Sequence, residues 1–396
     1  MISVGIDVSK GKSTVCILKP GGEVVKPPFE IDHAIEKLDA LVSLINSFDE
    51  ETRVVLEDTG HYHLPVASYL SSHGIFVCCV NALRMKKFCA QSIRRAKTNK
   101  IDAVRIASFG ITYWSELTKA YDTPDTYAEL RFLARQYYQI TSILVKAKVN
   151  LSNLLDRIMP GISNLLQNNK GNHKLTEFVD RYTHFQALLD MGEKKFTADY
   201  CKWAKKMGYR CNERKAAEIY ALAQNGIPSL PNSQSVKIAV REAIKMIHST
   251  EESHNTILAQ MQILCKTLPE YSVVRDMNYI GDVLAPRIIA EIGDVRRFKN
   301  KHALIAYAGI DAPPYQSGTF NASERKISKR GNSYLRKTGY EIMQSLIKHK
   351  PADDSVYDLI QKKRSEGKCG KEAMIAGLNK FLRVYYGRVM ERYSEL

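Results

Sequence analysis

The first 32 residues, MISVGIDVSKGKSTVCILKPGGEVVKPPFEID, decide the fold class of the N-terminal part of the chain. β-branched and apolar residues concentrate in three short runs, 2–8, 13–18 and 23–31, which favours three strands. Pro20-Gly21-Gly22 supplies a turn between the second run and the third. The pattern therefore predicts three consecutive strands joined by hairpins.

The residues after this stretch alternate between helix and strand periodicity. Apolar spacing predicts helices near 34–45 and 64–72, and short apolar runs predict strands at 54–57 and 75–80, with helices after them. Strands that alternate with helices form βαβ units. Three hairpin-linked strands followed by such units are typical of a ribonuclease-H-like mixed sheet, so we expect an α/β fold here.

Four polar residues stand near the ends of these predicted elements. Asp7 ends the first strand and Glu57 ends the strand at 54–57, whereas Asn99 and Asp102 lie beside a strongly basic stretch. Carboxylates at the ends of neighbouring strands, joined by others on a following helix, can converge on divalent metal ions and bring them to a phosphodiester. The pattern predicts a metal site for phosphodiester chemistry.

The charge of the chain predicts a polyanionic partner. The 396 residues carry a formal net charge of +16 with a pI near 9.3, and cations that neutralise phosphates release condensed counterions. The basic residues concentrate in two clusters that no acidic residue interrupts, whereas solvated charged surfaces usually mix both signs. The clusters are Arg84, Lys86, Lys87, Arg94, Arg95, Lys97 and Lys100, and Arg325, Lys326, Lys329, Arg330, Arg336 and Lys337. We expect both clusters to contact nucleic acid.

Cysteine usage and hydropathy predict a cytoplasmic location. The eight cysteines contain no C-x-x-C pair and no regular spacing, which is typical of reduced thiols in a cytosolic protein. Cys201 and Cys211 do not have zinc-ligand spacing, and packing explains them better. No signal-peptide pattern opens the chain and no apolar run is long enough to cross a bilayer, so we expect no membrane partner.

Two coiled-coil seams mark the middle of the chain. From Leu130 to Ile158, apolar residues recur at alternating spacings of three and four, until Pro160-Gly161 ends the helix. A second seam runs from Ala243 to Leu268 and is interrupted by the polar residues Thr250 and His254. The seams predict either an antiparallel hairpin within the chain or packing against another protomer, and the spacing does not choose between them.

Ser317 is a candidate nucleophile in the C-terminal part of the chain. A serine beside a glycine in a loop is ordinarily a turn residue. Ser317, however, is followed closely by the second basic cluster, which can hold a phosphodiester and stabilise its developing charge. A serine hydroxyl needs a base or a metal ion to become nucleophilic, and no acidic partner is evident nearby. Activation would therefore come from elsewhere, and the N-terminal metal site is the best source.

Motifs in both parts of the chain resemble those of the DEDD insertion-sequence transposases, relatives of the Piv site-specific invertase that are now known as bridge-RNA-guided recombinases. The N-terminal motifs are GIDVSK at 5–10, EDTGHY at 57–62 and RAKTNKIDA at 95–103. The C-terminal motifs are IGD at 292–294, AYAG at 306–309, QSG at 316–318 and ISKRGN at 327–332. Their order and the coiled coil between them make the resemblance specific, and 162–232 alone lacks matching landmarks.

The resemblance implies an α/β plus α fold in five parts. The ribonuclease-H-like first part would be similar to the Holliday-junction resolvase RuvC, with Asp7, Glu57, Asn99 and Asp102 at its metal site. The last part would be a mainly helical transposase domain that holds Ser317. The implied division is a RuvC-like catalytic domain at 1–115, coiled-coil helices at 116–160 and 233–269, a helical insertion at 161–232 and the transposase domain at 270–396.

The resemblance also implies the activity of a bacterial insertion sequence's recombinase, associated with DNA. The acids would bind Mg²⁺, with Mn²⁺ as a substitute, and Ser317 would attack a DNA phosphate to form a covalent phosphoserine that permits reversible strand exchange. In the family, the metal site of one protomer is completed by the serine domain of another, which implies a homo-oligomer, a dimer or a tetramer. A structured noncoding bridge RNA would pair with double-stranded donor and target DNA, so that base pairing reads the sequence.

Asn99 departs from the family pattern, in which the fourth ligand is an acid. It stands three residues before Asp102, on the same helical face, and its carbonyl can ligate a hard cation without adding negative charge. Asp58 follows Glu57 directly on a strand and should point to the opposite face. Two other functions stay open: a metal-dependent RuvC-like junction nuclease that uses the N-terminal acids alone, and a basic DNA-binding protein with a degenerate metal site.

Overall fold

A computed structural model describes nine ranges of the chain: 1–58, 60–90, 98–120, 124–168, 172–277, 279–313, 316–317, 320–321 and 326–396. The chain divides into an N-terminal unit, Met1–Thr123, and a C-terminal unit, Pro124–Leu396. Within these nine ranges, none of the helices combines the length and the hydropathy that a bilayer-spanning segment needs.

A five-stranded mixed sheet forms the centre of the N-terminal unit. Its strands are β1 (Ile2–Val8), β2 (Lys12–Leu18), β3 (Val24–Asp32), β4 (Thr52–Asp58) and β5 (Phe76–Asn81). They lie in the order β3-β2-β1-β4-β5, with antiparallel pairs among the first three strands and parallel pairs from β1 to β4 and from β4 to β5. This topology confirms the predicted ribonuclease-H-like mixed sheet.

Helices cover both faces of this sheet. They are α1 (Ile35–Asn46), α2 (His63–Ser72), α3 (Ala82–Cys89) and α4 (Asn99–Thr112). Successive side chains of a strand point to opposite faces. In β4, Leu56 joins a core with Leu41 and Leu70 of α1 and α2, whereas Val55 joins a core with Phe109 of α4. α4 therefore packs on the face opposite α1 and α2.

The C-terminal unit is almost entirely helical, which confirms the α/β plus α fold class. Its helices are α5 (Asp125–Ile158), α6 (Ile162–Leu165), α7 (Lys174–Tyr182), α8 (Phe185–Met191), α9 (Glu193–Lys206), α10 (Glu213–Asn225), α11 (Gln234–Lys266), α12 (Glu270–Arg275), α13 (Leu284–Ile292), α14 (Lys301–Ala308), α15 (Ser333–His349), α16 (Ser355–Ser365) and α17 (Gly370–Ser394). Two short strands, β6 (Gln316–Ser317) and β7 (Phe320–Asn321), form an antiparallel pair.

The two predicted seams pack on each other as an antiparallel hairpin of α5 and α11 within one chain. The ring of Tyr137 on α5 lies 4.4 Å from that of His254 on α11, and farther along α5 the Lys148 Nζ atom lies 2.7 Å from Glu251 Oε1. Later residues of α5 thus meet earlier residues of α11. Of the two arrangements that the spacing left open, these contacts select the hairpin.

The hairpin joins two hydrophobic cores. The first part of α5 and the last part of α11 belong to a core with α12–α17, and the opposite ends belong to a core with α6–α10. Between them, Ile140, Leu144, Thr250 and His254 are only half-buried. The polar interruptions of the second seam therefore fall where neither core adds a further layer.

Cys201 and Cys211 form a disulfide between α9 and the segment before α10, with Cα atoms 5.0 Å apart. The expectation that all eight cysteines are reduced is therefore wrong for this pair. The physical reason is a reversal of the chain after α9, where Gly208 adopts a positive φ of 75° and returns the backbone toward the helix. The other six cysteines are free thiols.

Candidate functional site

Asp7 and Glu57 lie near the carboxyl ends of neighbouring parallel strands. Ile6 of β1 pairs with Leu56 of β4, and the two acids are the next residues of their strands. Ile6 and Leu56 face the core with α1 and α2, so strand alternation places both acids on the α4 side. Both acids are half-buried. Strand register therefore brings together two of the acids that the sequence predicts.

Two glycines allow α4 to lie directly on the sheet. A Cβ atom on Gly5 of β1 would stand 2.2 Å from the Ala107 backbone nitrogen and 2.5 Å from the Ala103 carbonyl oxygen. A Cβ atom on Gly110 of α4 would stand 2.1 Å from Ser3 Oγ. Since later residues of α4 lie over earlier residues of β1, the helix runs antiparallel to the strand. Its first turn therefore lies beyond Gly5, toward the strand end that carries Asp7.

The first turn of α4 carries Asp102 to this edge of the sheet. Thr98 caps the helix, because its Oγ1 atom accepts a hydrogen bond from the Ile101 backbone nitrogen at 3.2 Å. Asp102 Oδ1 accepts a hydrogen bond from the Arg105 guanidinium, one turn later, at 3.3 Å. The ion pair orients the carboxylate of Asp102 from the side of the helix.

The thiol of Cys89, at the end of α3, shows that two of the carboxylates share one environment. Burial raises the pKa of this thiol, the charge of Arg105 lowers it, and the charges of Asp102 and Glu57 raise it further. Glu57 and Asp102 therefore lie close to the same group. The sequence reasoning missed Cys89 and Arg105; for Arg105, the spacing of three residues from Asp102 was an available signal.

Asn99 is the first residue of α4 and is exposed to solvent. It precedes Asp102 by about one helical turn, which places both on one side of the helix. Together with Asp7 and Glu57 they offer only oxygen donors, three of them charged. Hard divalent cations such as Mg²⁺ and Mn²⁺ prefer this donor chemistry. The donor set thus fits the expected metal.

Asp58 lies on the other face of the sheet, as strand alternation predicts. Its Oδ1 atom stands 3.6 Å from Nε2 of His63, a buried residue of α2. Because α2 covers the face opposite α4, Asp58 does not join Glu57 at the acidic edge.

The first basic cluster divides into exposed and packed residues. Lys86, Lys87 and Lys100 are exposed. Arg84 instead forms an ion pair with Glu116, and its guanidinium lies 4.8 Å from the ring centre of Tyr113. Arg84 therefore also fastens α3 to the segment after α4. Three further members lie outside the described residues: Arg94, Arg95 and Lys97.

The second basic cluster shows the same division. The exposed members are Lys326, Lys329, Arg330 and Lys337. Arg336 is half-buried and donates hydrogen bonds to the carbonyl oxygens of Ala308 and Gly331, at 3.0 and 2.9 Å. It therefore holds the loop before α15 to the end of α14. Arg325 lies outside the described residues.

Two of the C-terminal motifs pack against each other. The backbone nitrogens of Lys329 and Asn332 donate to the carbonyl oxygens of Gly309 and Tyr307, at 2.9 and 2.7 Å. A Cβ atom on Gly331 would stand 2.1 Å from the Tyr307 oxygen and 2.5 Å from the Gly309 nitrogen. This close approach fixes the backbone that carries the exposed cations of the loop.

Ser317 belongs to the hairpin of β6 and β7, which lies in the chain between these two motifs. It pairs with Phe320, and Gln316 pairs with Asn321. The sequence treated Ser317 as a loop residue, whereas its backbone is part of a short antiparallel ladder. A ladder holds a residue more firmly than a loop does, because its backbone groups are hydrogen-bonded.

Below the second basic cluster lies a polar network that the sequence did not reveal. Asn332 caps α15, and its Nδ2 atom donates to Glu291 Oε2 at 2.8 Å. Arg135 of α5 donates to the same oxygen at 3.0 Å. Glu291 is buried, which raises its pKa, while the charge of Arg135 and the hydrogen bond from Asn332 oppose that shift. The network ties the loop to α5 and α13.

Two family models match the chain. A model of DEDD-type IS110 transposases matches residues 4–160, and the model "Transposase IS116/IS110/IS902 family" matches residues 271–358. The insertion element IS116 uncharacterized 44.8 kDa protein of Streptomyces clavuligerus is 21% identical over 375 residues, which cover 95% of this chain and 91% of that protein. The first matched stretch includes Asp7, Glu57, Asn99 and Asp102, and the second includes Ser317.

Two solved structures show weak similarity to part of the chain. The RuvC structure of Thermus thermophilus is 13% identical, with a TM-score of 0.24, and the match covers 30% of this chain and 98% of that one. The T. thermophilus RuvC structure in complex with a Holliday junction substrate is 11% identical, with a TM-score of 0.23, and the match covers 29% and 96%.

Proposed function

Because the chain belongs to the DEDD-type insertion-sequence transposases, which are enzymes that act on DNA, we propose that it is an RNA-guided recombinase with a covalent phosphoserine intermediate. The observation that carries the proposal is the acidic edge of the N-terminal unit. There, strand register and the close packing of α4 bring Asp7, Glu57 and Asp102 to one end of the sheet. Ser317 supplies the nucleophile in this proposal.

Asp7, Glu57 and Asp102 would hold Mg²⁺, or Mn²⁺ in its place, with Asn99 as a neutral donor. When bound, the ion would polarise the phosphodiester and lower the pKa of an attacking hydroxyl. The ion pair with Arg105 would keep Asp102 oriented during this step. With three charged ligands instead of four, the site would attract the cation less strongly than a site with four acids.

Ser317 would attack the DNA phosphorus, so that a bond forms between its Oγ atom and phosphorus. The bond from phosphorus to the departing DNA oxygen breaks, and that oxygen takes up a proton. In the reverse step a DNA hydroxyl attacks the phosphoserine and releases Ser317, so that strands exchange without net hydrolysis. The exposed cations Lys326, Lys329 and Arg330, on a loop that Asn332 anchors, would contact phosphates and stabilise charge in the transition state.

The nucleic-acid partners are double-stranded donor and target DNA and a structured guide RNA. The exposed cations of the two basic clusters would bind their backbones, because lysine and arginine charges neutralise phosphates irrespective of sequence. RNA that copurifies with the chain is sequenced, and the DNA that it can pair with becomes the substrate for all further assays. A discrete, structured RNA supports guidance, and its absence contradicts it.

The covalent step is tested with Ser317→Ala and with Ser333→Ala as a control, since Ser333 is an exposed serine of the same unit. Denaturing electrophoresis with labelled DNA should show a protein–DNA adduct for the wild type and Ser333→Ala and none for Ser317→Ala. Undiminished cleavage by Ser317→Ala without an adduct would instead support a RuvC-like junction nuclease. If Asp7→Ala processes DNA as the wild type does, both enzymatic functions are refuted.

We further propose that the chain works as a dimer or a tetramer. Mass photometry of the complex with RNA and DNA measures this number directly. A complex with one protein chain would contradict the proposal.

A further inference from the structure

A second group of metal-ligating side chains lies in the C-terminal unit. His173 is the residue before α7, and His248 and Glu251 lie three residues apart on α11. One ligand atom from each of the three lies within 4.8 Å of the other two. The rings of the two histidines are 4.9 Å apart and nearly perpendicular. The group therefore joins the helical segment between the seams to the long hairpin.

Two atoms that face each other in this group have no hydrogen-bond partner among the described residues. His173 Nδ1 and Glu251 Oε2 are both buried from solvent and stand 3.7 Å apart, too far for a hydrogen bond. The other carboxylate oxygen, Glu251 Oε1, is paired with Lys148 Nζ at 2.7 Å. Two buried acceptors without a donor cost about 1–3 kcal/mol each. A cation between them would remove that cost.

The backbone holds His173 in place independently of its side chain. The His173 carbonyl oxygen accepts hydrogen bonds from the Glu177 nitrogen and from Thr176 Oγ1, both at 2.9 Å. On α11, residues three apart lie on the same face of a helix, so His248 and Glu251 both face α7. A groove of about 430 Å³ between the two helices begins at His248 and opens to solvent. An ion would therefore find prepositioned ligands and an entry path.

We propose that His173, His248 and Glu251 bind Zn²⁺ and thereby fasten α7 to α11. Two imidazole nitrogens and one carboxylate oxygen are donors that Zn²⁺ accepts in tetrahedral sites, whereas Mg²⁺ selects oxygen donors alone. Water would complete the tetrahedron, since the side chains of His173 and Glu251 are 41% and 21% exposed. This site differs in ligands and in metal from the acidic edge of the N-terminal unit, and it does not depend on the proposed recombination.

Zinc affinity is measured on the full-length protein after removal of metals with a chelator, by competition with a chromogenic zinc chelator. The titration contains excess Mg²⁺ to occupy oxygen-only sites, and every protein carries Cys369→Ser because Cys369 is an exposed thiol. We expect one tight Zn²⁺ equivalent per chain. His173→Gln and His248→Gln should each weaken binding by about 100-fold or more, since even outer partners of ligands contribute 10–100-fold.

Two controls make the result specific. His349→Gln changes an exposed histidine on α15, far along the chain, and should leave the affinity unchanged. Asp7→Ala should also leave it unchanged, because Asp7 belongs to the other donor set. Circular dichroism confirms that each variant is folded before the titration.

A second readout is the thermal unfolding midpoint of the C-terminal unit with and without Zn²⁺. It should rise with Zn²⁺ in the wild type and in His349→Gln, but not in His173→Gln or His248→Gln, because a ligand that binds only the folded state stabilises it. If the wild type binds Zn²⁺ no more tightly than these two variants, the three residues are an ordinary ion pair with a neighbouring histidine, and the proposal is refuted.

Discussion

Gly5→Ala is the sharpest test of how the acidic edge is built. The substitution adds one methyl group where the backbone of α4 crosses β1. The contact from the new Cβ atom to the Ala107 nitrogen would have to grow from 2.2 Å to about 3.4 Å, the lower limit of ordinary contact. Backbone atoms cannot rotate away as side chains can, so α4 must move. Asp102 is on the first turn of that helix and moves with it.

The size of the effect follows from the same geometry. Overpacking costs about 1–3 kcal/mol, and alanine regains about 0.5–1 kcal/mol over glycine within a strand. The N-terminal unit should therefore lose about 1–2 kcal/mol of unfolding free energy. A displacement of about 1 Å among catalytic groups costs roughly 100-fold in rate, so adduct formation should fall more than stability does.

Unfolding of the N-terminal unit can be followed separately. The chain has two tryptophans, Trp114 in the N-terminal unit and Trp203 in the C-terminal unit. In a Trp203→Phe background, Trp114 reports the N-terminal unit alone during urea denaturation. The rate of adduct formation with labelled DNA is measured on the same proteins, at saturating Mg²⁺ and again across a Mg²⁺ titration.

Gly110→Ala provides the matched control at the other end of α4. Its added methyl would meet Ser3 Oγ at 2.1 Å, which is a side-chain atom with no hydrogen-bond partner among the described residues. Adding Ser3→Ala should therefore recover most of the stability that Gly110→Ala loses, whereas no side-chain truncation should rescue Gly5→Ala. If Gly5→Ala unfolds at the wild-type urea concentration and forms the adduct at the wild-type rate, α4 does not lie on β1 and the assembly of the acidic edge is wrong.

Three further predictions concern single groups. Asn99→Asp should lower the Mg²⁺ concentration at half-maximal activity, because it adds a charged ligand one turn before Asp102. Gly331→Ala should separate the loop from Tyr307, cost about 1–3 kcal/mol in urea denaturation and slow adduct formation without changing Mg²⁺ affinity. Burial raises the pKa of Glu270 above its usual 4.5, despite hydrogen bonds from two tyrosine hydroxyls, so its contribution to stability is complete below pH 4.5 and is lost as pH rises through the folded-state pKa. Glu270→Gln should therefore flatten the fall in stability from pH 4.5 to pH 8, measured by urea unfolding at several pH values.

Each of these outcomes has a clear opposite. Unchanged activity of Asn99→Asp across the Mg²⁺ titration would remove position 99 from the ligand set. Wild-type stability of Gly331→Ala would contradict the close packing of the two C-terminal motifs. A pH dependence of Glu270→Gln that matches the wild type would show that other groups control the acid side of the stability curve.

The sequence predicted best what depends on local periodicity. Strand alternation and element order predicted the mixed sheet and the face on which Asp58 lies, since both follow from neighbouring residues. The close approach at Gly5 had no local signal. It requires knowing that residue 107 of a helix crosses residue 5 of a strand, and glycine within a strand has several explanations.

Long-range polar contacts were the hardest to predict. Arg135 lies between seam positions of α5, and nothing around it in the sequence indicates a partner 156 residues later in Glu291. The same holds for Cys201 and Cys211, which are close in sequence but need the reversal after α9 to meet. Such pairs depend on how helices pack, and helix packing depends on shapes that no short motif encodes.

The proposed zinc site has a structural reason in the hairpin itself. α11 is buried at its two ends by different cores, while its middle, with Thr250 and His254, is only half-buried. His248 and Glu251 lie at the border of that weak middle, where the core with α6–α10 ends. A bond from α7 to this point would hold α11 where apolar packing stops. Loss of the metal should therefore affect the middle of α11 first, and hydrogen exchange of its backbone amides near Thr250 should accelerate in His173→Gln, whereas exchange near Met261 should not.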